Sequence, residues 1–240
     1  MTTTVSADRS VRTAPPRLEY KYLLSPRQAL LVKNALLSIC RRDPHSRSEA
    51  YRVVSTYFDT PHLTEYVSKL EGLGTRSKWR IRTYPSSPDS PVLLEAKRKR
   101  GTLYFKESYP LAPRLVDSLS EGRFPETAPE WFQSFLTLLR TSPLVPTVVI
   151  SYRREAFFLR DDPACRFSFD RKIAAQYTRR LFEESVHPRR PLHPGHIVFE
   201  CKLKRSRADL AHRLVKEFAL PAIAHSKYFY GVTATNPYLL

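Results

Sequence analysis

A row of positive charges spaced two residues apart runs through residues 75–84 of the chain. Cations and neutral side chains alternate there in the order Arg76, Ser77, Lys78, Trp79, Arg80, Ile81, Arg82 and Thr83. A period of two is the period of a β-strand, so a strand at this place directs all four cations to one face. Like charges this close repel one another unless they face water or a partner of opposite sign. The segment therefore predicts a strand whose cationic face can bind a polyanion.

The same alternation recurs, with carboxylates among the cations, in four other segments. The charged or polar positions are Arg17, Glu19 and Lys21; Glu95, Lys97 and Lys99; Arg166, Ser168 and Asp170; and Glu200, Lys202 and Lys204. A single strand of this kind usually turns its charged face to water. Five such strands instead favour a closed sheet with a charged interior and a covered outer face.

The net charge of +17 on this 240-residue chain indicates an anionic partner. Nucleic acid, an anionic membrane surface and a polyphosphate substrate all fit that charge. No apolar run of the sequence approaches the length of a membrane span, and the N-terminus lacks the apolar core of a secretory signal. Cys40, Cys165 and Cys201 are odd in number and widely spaced. They argue against a disulfide framework and indicate a reducing, cytoplasmic location.

Phosphate recognition by a glycine-rich loop is not supported by the composition. The chain has six glycines, and none is placed as a phosphate loop or a dinucleotide fingerprint. Phosphate must then be held by side chains, for which arginine offers a bidentate fork and lysine a point charge. The run Lys97–Arg100 resembles a nucleic-acid patch, but alternate members of a strand face opposite sides. Exposed aromatic residues do not interleave the cations, so no specific nucleic-acid partner is expected.

The chain divides into an N-terminal segment, residues 1–16, that is expected to be disordered, and one domain over residues 17–240. Alternating patterns predict strands at 17–24, 51–59, 75–84, 91–100, 102–110, 145–160, 164–180 and 195–204. Helical spacing predicts a helix that begins at Ser25-Pro26 and others near 61–71, 128–140 and 207–219. Proline-rich stretches at 85–91 and 187–194 predict loops. Many antiparallel strands with helices between them indicate an α+β fold built on a barrel, with the helices packed outside.

Four carboxylates on the charged strand faces are the candidates for a metal site. They are Glu19, Glu95, Asp170 and Glu200. A hard divalent cation such as Mg²⁺ or Mn²⁺ prefers oxygen ligands and often bridges to substrate phosphates. The alternative is that these acids only neutralise neighbouring cations in a structural ion-pair network. The group His193, His196 and Cys201 matches no zinc spacing.

Nine short motifs follow one another between residues 17 and 230. They are Arg17–Tyr22, Ser55–Thr60, Arg76–Tyr84, Leu94–Lys97, Lys106, Tyr152–Phe157, Phe169–Asp170, Phe199–Lys202 and Ser226–Tyr228. In this order they resemble the VTC (vacuolar transporter chaperone) polyphosphate polymerase domain, which belongs to the triphosphate tunnel metalloenzymes. The resemblance covers nearly the whole chain and implies an antiparallel barrel with a basic lumen.

The resemblance also implies a reaction, in which the γ-phosphoryl group of ATP passes to a growing inorganic polyphosphate chain and ADP is released, with Mn²⁺ or Mg²⁺ required. The cations implied to line the tunnel and hold phosphates are Lys21, Lys78, Arg80, Arg82, Lys97, Lys106, Arg154, Lys202 and Lys227. Those also implied to bind the cofactor are Lys78, Arg80, Arg82 and Arg154. Glu200 is implied to be the principal metal ligand, assisted directly or through water by Glu19 and Glu95. Asp59 is expected to fix strand geometry or a neighbouring cation rather than contact substrate.

The residue at position 17 bears on the choice of reaction. Hydrolytic relatives typically open with Glu-x-Glu-x-Lys, and the first of these positions is Arg17 here. A terminal phosphate acceptor is already ionised at neutral pH, so positioning and charge neutralisation suffice without a strong general base. The lost acid therefore favours phosphate over water as the nucleophile.

Two alternative functions remain. One is a tunnel-fold triphosphatase that acts on inorganic triphosphate, a nucleotide or an RNA 5′ end, and the other is a non-catalytic polyphosphate-binding module. A generic nucleic-acid binder is the least favoured function.

Overall fold

The computed structural model of the chain describes residues 12–14, 17–46, 50–85, 91–100, 103–120, 130–141, 143–181, 189–223, 225–236 and 239. The strands are β1 (Arg12–Ala14), β2 (Leu18–Leu24), β3 (Cys40–Arg42), β4 (Tyr51–Asp59), β5 (Thr75–Thr83), β6 (Val92–Arg100), β7 (Leu103–Leu111), β8 (Val145–Leu159), β9 (Arg166–Tyr177), β10 (Arg190–Pro191) and β11 (Ile197–Leu203). The helices are α1 (Pro26–Ile39), α2 (Thr64–Leu70), α3 (Pro113–Ser120), α4 (Glu130–Thr141), α5 (Ala208–Phe218) and α6 (Lys227–Thr235).

All the strands belong to one antiparallel sheet. Its main path runs β1-β7-β6-β5-β4-β8-β9-β11-β2, with β3 beside β8 and β10 beside β9. Strands β2, β5, β6, β9 and β11 contain the charged alternation seen in the sequence, and each directs charged or polar side chains to one face of the sheet. Residues directly opposite across the central ladders include Arg80 and Glu95 on β5 and β6, and Lys21 and Glu200 on β2 and β11.

The sheet curls until its two sides meet. Lys97 on β6 and Glu19 on β2 lie six strands apart in the order above, yet Lys97 Nζ is 2.6 Å from Glu19 Oε2. In a flat sheet about 29 Å would separate these strands, at about 4.8 Å for each step between neighbours. The contact therefore requires a strongly curved sheet with a concave face and a convex face.

Apolar side chains on the convex face form the contacts with the outer helices. On one side, Phe132, Phe135 and Leu136 of α4 pack in a buried cluster with Phe58 of β4 and Trp79 of β5. On the other side, α1 and α5 cover β2, β9 and β11. Residues buried there include Val32, Leu36, Phe167, Phe199, Cys201 and Leu214. Helix α1 begins with a capping box, in which the Ser25 hydroxyl accepts a hydrogen bond from Gln28 N at 3.2 Å.

Helix α6 lies on the concave side, in contact with β8 and β9. Gly231 permits this close approach, because a Cβ there would meet Ile150 Cδ1 at 2.3 Å and Val148 Cγ2 at 3.3 Å. Ile150 alternates along β8 with Tyr152 and Arg154, so all three point to the same face. The prediction that helices pack outside the sheet is therefore confirmed for α1, α4 and α5 and wrong for α6.

The eight strands predicted from alternation are all present, as β2, β4 to β9 and β11, and the four predicted helices are α1, α2, α4 and α5. The prediction omitted β1, β3, β10, α3 and α6. Strand β1 lies within the segment expected to be disordered, of which residues 1–11 and 15–16 are outside the described ranges. Strand β10 lies within the predicted loop 187–194. Two or three residues are too few to carry a readable alternation, which is why these short strands escape prediction.

The α+β class and the antiparallel sheet are confirmed, while the expected closure of the barrel by hydrogen bonds is not seen. The described residues of β1 and β2, at the two ends of the strand order, share no ladder. Strand β1 has only three residues, all paired with Lys106–Ser108 on β7, so it offers little backbone to a further neighbour. Side chains join the two sides instead, through the Lys97–Glu19 ion pair.

Two further expectations concern the location and redox state of the chain. Within the described ranges, every helix is too short or too polar to cross a lipid bilayer. Cys40, Cys165 and Cys201 are all buried and free of disulfide bonds.

Candidate functional site

The concave face brings together every residue predicted for the site. Its cations are Lys21, Lys78, Arg80, Arg82, Lys97, Lys106, Arg154, Lys202 and Lys227, and its carboxylates are Glu19, Glu95, Asp170 and Glu200. We call these thirteen side chains the concave cluster. They come from seven strands and one helix end, and their spacing of two residues within each strand places them on one face.

Glu95 on β6 is the centre of one half of the concave cluster. Its side chain is 2% exposed and accepts a hydrogen bond from Arg80 Nε at 2.6 Å. Arg82 Nη1 lies 3.4 Å from the same carboxylate oxygen, and Lys106 pairs with the other oxygen. Burial alone would raise the pKa of Glu95, but Arg80, Arg82 and Lys106 hold that pKa well below its ordinary value. Glu95 is thus a buried anion that orients three cations.

Glu200 on β11 is the centre of the other half. Lys21 Nζ lies 3.9 Å, Arg154 Nη2 3.6 Å and Lys202 Nζ 3.7 Å from its carboxylate. These distances exceed those of tight hydrogen bonds, so the carboxylate interacts with its neighbours mainly through charge. Burial opposes ionisation, yet Lys202, Lys21 and Arg154 hold the pKa of Glu200 well below its ordinary value.

Asp170 on β9 connects the sheet to helix α6. Arg154 binds it with two hydrogen bonds of 2.7 and 2.8 Å, and Lys227 Nζ lies 2.6 Å from the same carboxylate. Lys227 is the first residue of α6, and the N-cap hydroxyl of Ser226 accepts a hydrogen bond from Lys78 Nζ at 3.2 Å. The helix N-terminus, with its partial positive charge, therefore adjoins the concave cluster.

Positive charge is in excess across the concave cluster, where nine cations face four carboxylates. Three lysines of the cluster have lowered pKa values, because burial destabilises their charged forms. Burial, with Arg76 and Lys69 nearby, lowers the pKa of Lys78 to about 7. Burial also lowers the pKa of Lys202 to about 7 and that of Lys106 to about 8, although Glu200 and Glu95 oppose those shifts. An anion that enters the site would restore the charged form of each lysine.

Two of the three predicted metal ligands lie together. Burial and the charge of Glu200 raise the pKa of Glu19, and Lys202 and Lys97 lower it by more. Glu95 lies in the other half, bound to its own cations. No cluster of three His, Cys, Asp or Glu side chains suited to a metal occurs in the described part of the chain. Because Mg²⁺ commonly uses one or two carboxylates together with substrate phosphates and water, the pair Glu19 and Glu200 has the donor chemistry for such an ion.

Tyrosine rings form part of the site that the sequence interpretation missed, since it expected no aromatic residues among the cations. Lys227 Nζ lies 4.8 Å and Arg154 Cζ 5.1 Å from the ring centroid of Tyr152. Lys78 Nζ lies 5.1 Å from the ring of Tyr228. These rings favour the cations without neutralising their charge. Tyr152 could have been found, because it shares the strand period of Arg154.

Asp59 has a structural role, as expected, but its contacts are with the backbone at the start of α2 and with a tyrosine of α6 rather than with a cation. Its carboxylate accepts hydrogen bonds from the backbone N–H groups of Thr60, Glu65 and Tyr66 at 2.7 to 3.0 Å, and from the hydroxyl of Tyr228. These contacts fix the start of α2 and hold α6 against β4. Asp59 is 0% exposed, so it is outside the surface that a ligand can reach.

The chain matches one known protein family and is similar to several solved structures. Residues 16–236 match the VTC domain family. A Bacillus halodurans protein described as a candidate adenylate cyclase has the same fold, with a TM-score of 0.56 and 12% identity over 88% of this chain and 93% of that one. The PH1012 protein of Pyrococcus horikoshii OT3 is similar over 92% of this chain and 99% of its own, with a TM-score of 0.49 and 10% identity. A Mimivirus capping enzyme triphosphatase has a TM-score of 0.38 and 10% identity over 86% of this chain and 89% of its own. No sequence among the curated proteins matches this chain.

Proposed function

Because the chain belongs to the VTC domain family, we propose that it is a metal-dependent polyphosphate polymerase that transfers the γ-phosphoryl group of ATP onto inorganic polyphosphate. The observation that carries this proposal is the excess of cations over carboxylates on the concave face. A purely structural ion-pair network would balance its charges, whereas a row of phosphates needs more cations than anions around it.

The concave cluster supplies what phosphoryl transfer demands of a protein, which is positioning and charge neutralisation. A terminal phosphate oxygen of the polymer attacks the γ-phosphorus, the bond from the γ-phosphorus to the β–γ bridging oxygen breaks, and ADP leaves with that oxygen. Arg80, Arg82 and Arg154 are held rigidly by buried carboxylates, so they present their remaining N–H groups to phosphate at little entropic cost. Lys78 and Lys202 regain full charge as phosphate binds.

The state of the carboxylates favours a phosphate acceptor over water. Activation of water calls for a carboxylate that can take a proton, with a pKa near the working pH. In the concave cluster, cations hold the pKa values of Glu95, Asp170 and Glu200 below their ordinary values in spite of burial. A terminal phosphate is already ionised and needs no such base. This argument supports the polymerase over a triphosphatase of the same fold.

A divalent ion, Mn²⁺ or Mg²⁺, would bind at Glu200 and Glu19 together with the substrate phosphates. When bound, it would neutralise charge on the phosphate oxygens. Glu19 also pairs with Lys97 at 2.6 Å, so this carboxylate would be shared between the ion and the lysine. We assign Glu95 to orienting Arg80, Arg82 and Lys106 rather than to metal binding.

Product analysis tests the proposal. Purified protein is incubated with ATP and Mn²⁺, with and without a short polyphosphate primer, and the products are resolved on a polyphosphate gel while ADP and free phosphate are assayed. A ladder of lengthening polymer with a matching amount of ADP is the expected result. Phosphate release without polymer would assign the chain to the triphosphatases, and binding of polyphosphate without turnover would make it a binding module.

A further inference from the structure

The motif Ser55–Thr60 contains a tyrosine, Tyr57, to which the proposed function assigns no role. Tyr57 is directly opposite Arg80 in the ladder between β4 and β5. Residues paired in this way point to the same side of a sheet, so Tyr57 points to the concave face. It is 7% exposed, as are Arg82 and Arg154 of the concave cluster. Tyr57 is thus no more shielded than two cations that we assign to phosphate binding.

The Tyr57 ring is firmly packed, so the position of its hydroxyl is well defined. The ring lies in a buried cluster with Val148 of β8 and Val232 of α6, and its centroid is 5.5 Å from that of the Tyr228 ring. A tyrosine side chain has only two torsions, so packing of this kind fixes its hydroxyl at little entropic cost. A ligand that binds beside Arg80 therefore meets a hydroxyl that is already in place.

The hydroxyl of Tyr57 has a hydrogen-bond donor as its partner. Arg80 Nη1 donates to it at 2.8 Å, while Arg80 Nε donates to Glu95 at 2.6 Å. A guanidinium group has five N–H donors and no acceptor, so the phenol oxygen accepts and its own hydrogen points elsewhere. In the part of the chain that the structure describes, no oxygen or nitrogen accepts that hydrogen.

The charges that act most strongly on the phenol are cations. Burial raises the pKa of Tyr57, but Arg80, Arg82 and Lys227 lower it by more. Arginine and protonated lysine have no lone pair to offer, so these neighbours cannot accept the hydrogen of the hydroxyl. A phenol surrounded by donors needs an acceptor, and the oxygens of a phosphate group are strong acceptors. The environment of Tyr57 is therefore complementary to a bound anion.

We propose that the hydroxyl of Tyr57 donates a hydrogen bond to a phosphate oxygen of the bound substrate, next to the N–H groups of Arg80. The phenol oxygen and Arg80 Nη1 are 2.8 Å apart, so both donors can contact one phosphate group. Tyr57 then has two roles, since its oxygen orients Arg80 and its hydrogen contacts the ligand. The inference rests on the proposed function for the binding of phosphate but not for its transfer.

Calorimetric titration with inorganic tripolyphosphate tests this hydrogen bond. Tyr57→Phe removes the hydroxyl and keeps the ring, so we expect binding to weaken by roughly tenfold through the loss of a hydrogen bond to a charged group. Tyr66→Phe is the matched control, because the hydroxyl of Tyr66 is paired with that of Thr233 at 3.1 Å and lies outside the concave cluster. The control should bind tripolyphosphate as the parent does, and so should Tyr57→Phe if the proposal is wrong.

A double-mutant cycle separates direct donation from a role that acts only through Arg80. The titration is repeated with Arg80→Met and with Arg80→Met/Tyr57→Phe. If Tyr57 contacts phosphate, its substitution weakens binding in the Arg80→Met background as well. If Tyr57 only orients Arg80, as Glu95 does, its substitution has no further effect in that background, and the proposal is refuted. Circular dichroism checks that each variant is folded.

The ionisation of Tyr57 provides a second readout, which does not depend on the Arg80 variant. The difference in ultraviolet absorbance between the parent and Tyr57→Phe isolates the phenolate of this residue. A phosphate oxygen that accepts the hydrogen of Tyr57 stabilises the neutral phenol, so tripolyphosphate should move its ionisation to higher pH. An unchanged titration with saturating tripolyphosphate would refute the contact.

The outcomes distinguish this inference from the proposed function. A parent protein that binds no tripolyphosphate would contradict the proposed function and this inference together. Binding by the parent that is unchanged in Tyr57→Phe would contradict this inference alone. Weaker binding by Tyr57→Phe in both backgrounds would support it, whether or not the parent extends polyphosphate.

Discussion

Asp170 and Lys227 form an ion pair of 2.6 Å in which the carboxylate is completely buried. The pair joins β9 to the first residue of α6, and Arg154 of β8 binds the same carboxylate with two hydrogen bonds. These residues are far apart in the sequence, so the contact forms only when α6 docks on the concave face. Asp170 therefore holds the first turn of α6 against the sheet and orients two cations of the concave cluster.

Replacing Asp170 by asparagine should destabilise the fold. The substitution removes the carboxylate that both Arg154 and Lys227 contact directly and leaves Glu200 as the nearest remaining acid to Arg154. Breaking a buried pair in this way costs about 3–5 kcal/mol. Because cations hold the pKa of Asp170 below its ordinary value, its contribution to stability is present at neutral pH and is lost as acid protonates the folded carboxylate. Urea unfolding at neutral pH measures the free energy of unfolding.

Asp161→Asn is the matched control for that experiment. Asp161 pairs with Arg207 at 2.6 Å, a similar distance, but its side chain is 61% exposed. Exposed pairs contribute about 1 kcal/mol or less. Equal losses of stability in the Asp170 and Asp161 variants would contradict the buried position assigned to Asp170.

Binding of tripolyphosphate should weaken as the pH rises above about 7. Burial, together with Arg76 and Lys69, lowers the pKa of Lys78 to about 7. Above that pH the free protein has a neutral Lys78, while bound phosphate restores the charge, so binding takes up a proton. Affinity then falls by as much as about tenfold for each pH unit. Calorimetry between about pH 6 and about pH 9 measures the slope.

Lys78→Met separates this effect from other titrations. The ligand's own ionisation is common to both proteins, and Lys202, whose pKa is also lowered to about 7, remains in the variant. The variant should therefore show a shallower dependence on pH than the parent. Identical slopes in the two proteins would mean that Lys78 does not titrate in this range.

Gly231→Ala should displace α6 from the concave face. A Cβ at this position would lie 2.3 Å from Ile150 Cδ1, and overpacking of this kind costs about 1–3 kcal/mol. Ile150→Val removes the clashing methyl group, so it should restore part of the stability of Gly231→Ala. A double-mutant cycle of unfolding free energies measures this coupling. Gly74→Ala, where nothing lies within 4 Å of the added Cβ, serves as the control, and purely additive effects of the two changes would refute the contact.

Alternation of charged and apolar residues in five segments predicted the strands that hold most of the concave cluster, because their two faces differ chemically with a period of two. The same logic assigned Lys78, Arg80 and Arg82 to one face, where the structure places them. Lys106, Arg154 and Lys227 were implied by the family resemblance alone. The local sequence pattern is enough to predict a strand when one face of that strand packs against helices and the other face holds charged side chains.

Two features could not be read from local pattern. Helix α6 has the sequence of residues 227–235, which is rich in aromatic and β-branched residues and contains Gly231, so its intrinsic propensity favours a strand. Packing against β8 and β9 overrides that propensity. The bulge at Lys172 is likewise set by pairing with β8, and it reverses the alternation of β9, which puts Ile173 and Ala175 against α6 and Arg171 on the outer face.

The most direct test of the account is polymer synthesis by Lys78→Ala. Lys78 is paired with Ser226 rather than with a buried carboxylate, and its lowered pKa means that its charge does not stabilise the fold, so the variant should unfold as the parent does. A lost charge-assisted contact to phosphate should lower the rate of ATP-dependent chain growth by roughly 10- to 100-fold, while Arg205→Ala, which removes an exposed cation elsewhere, leaves it unchanged. Full activity of a folded Lys78→Ala protein would contradict the assignment of the concave cluster as the site of phosphoryl transfer.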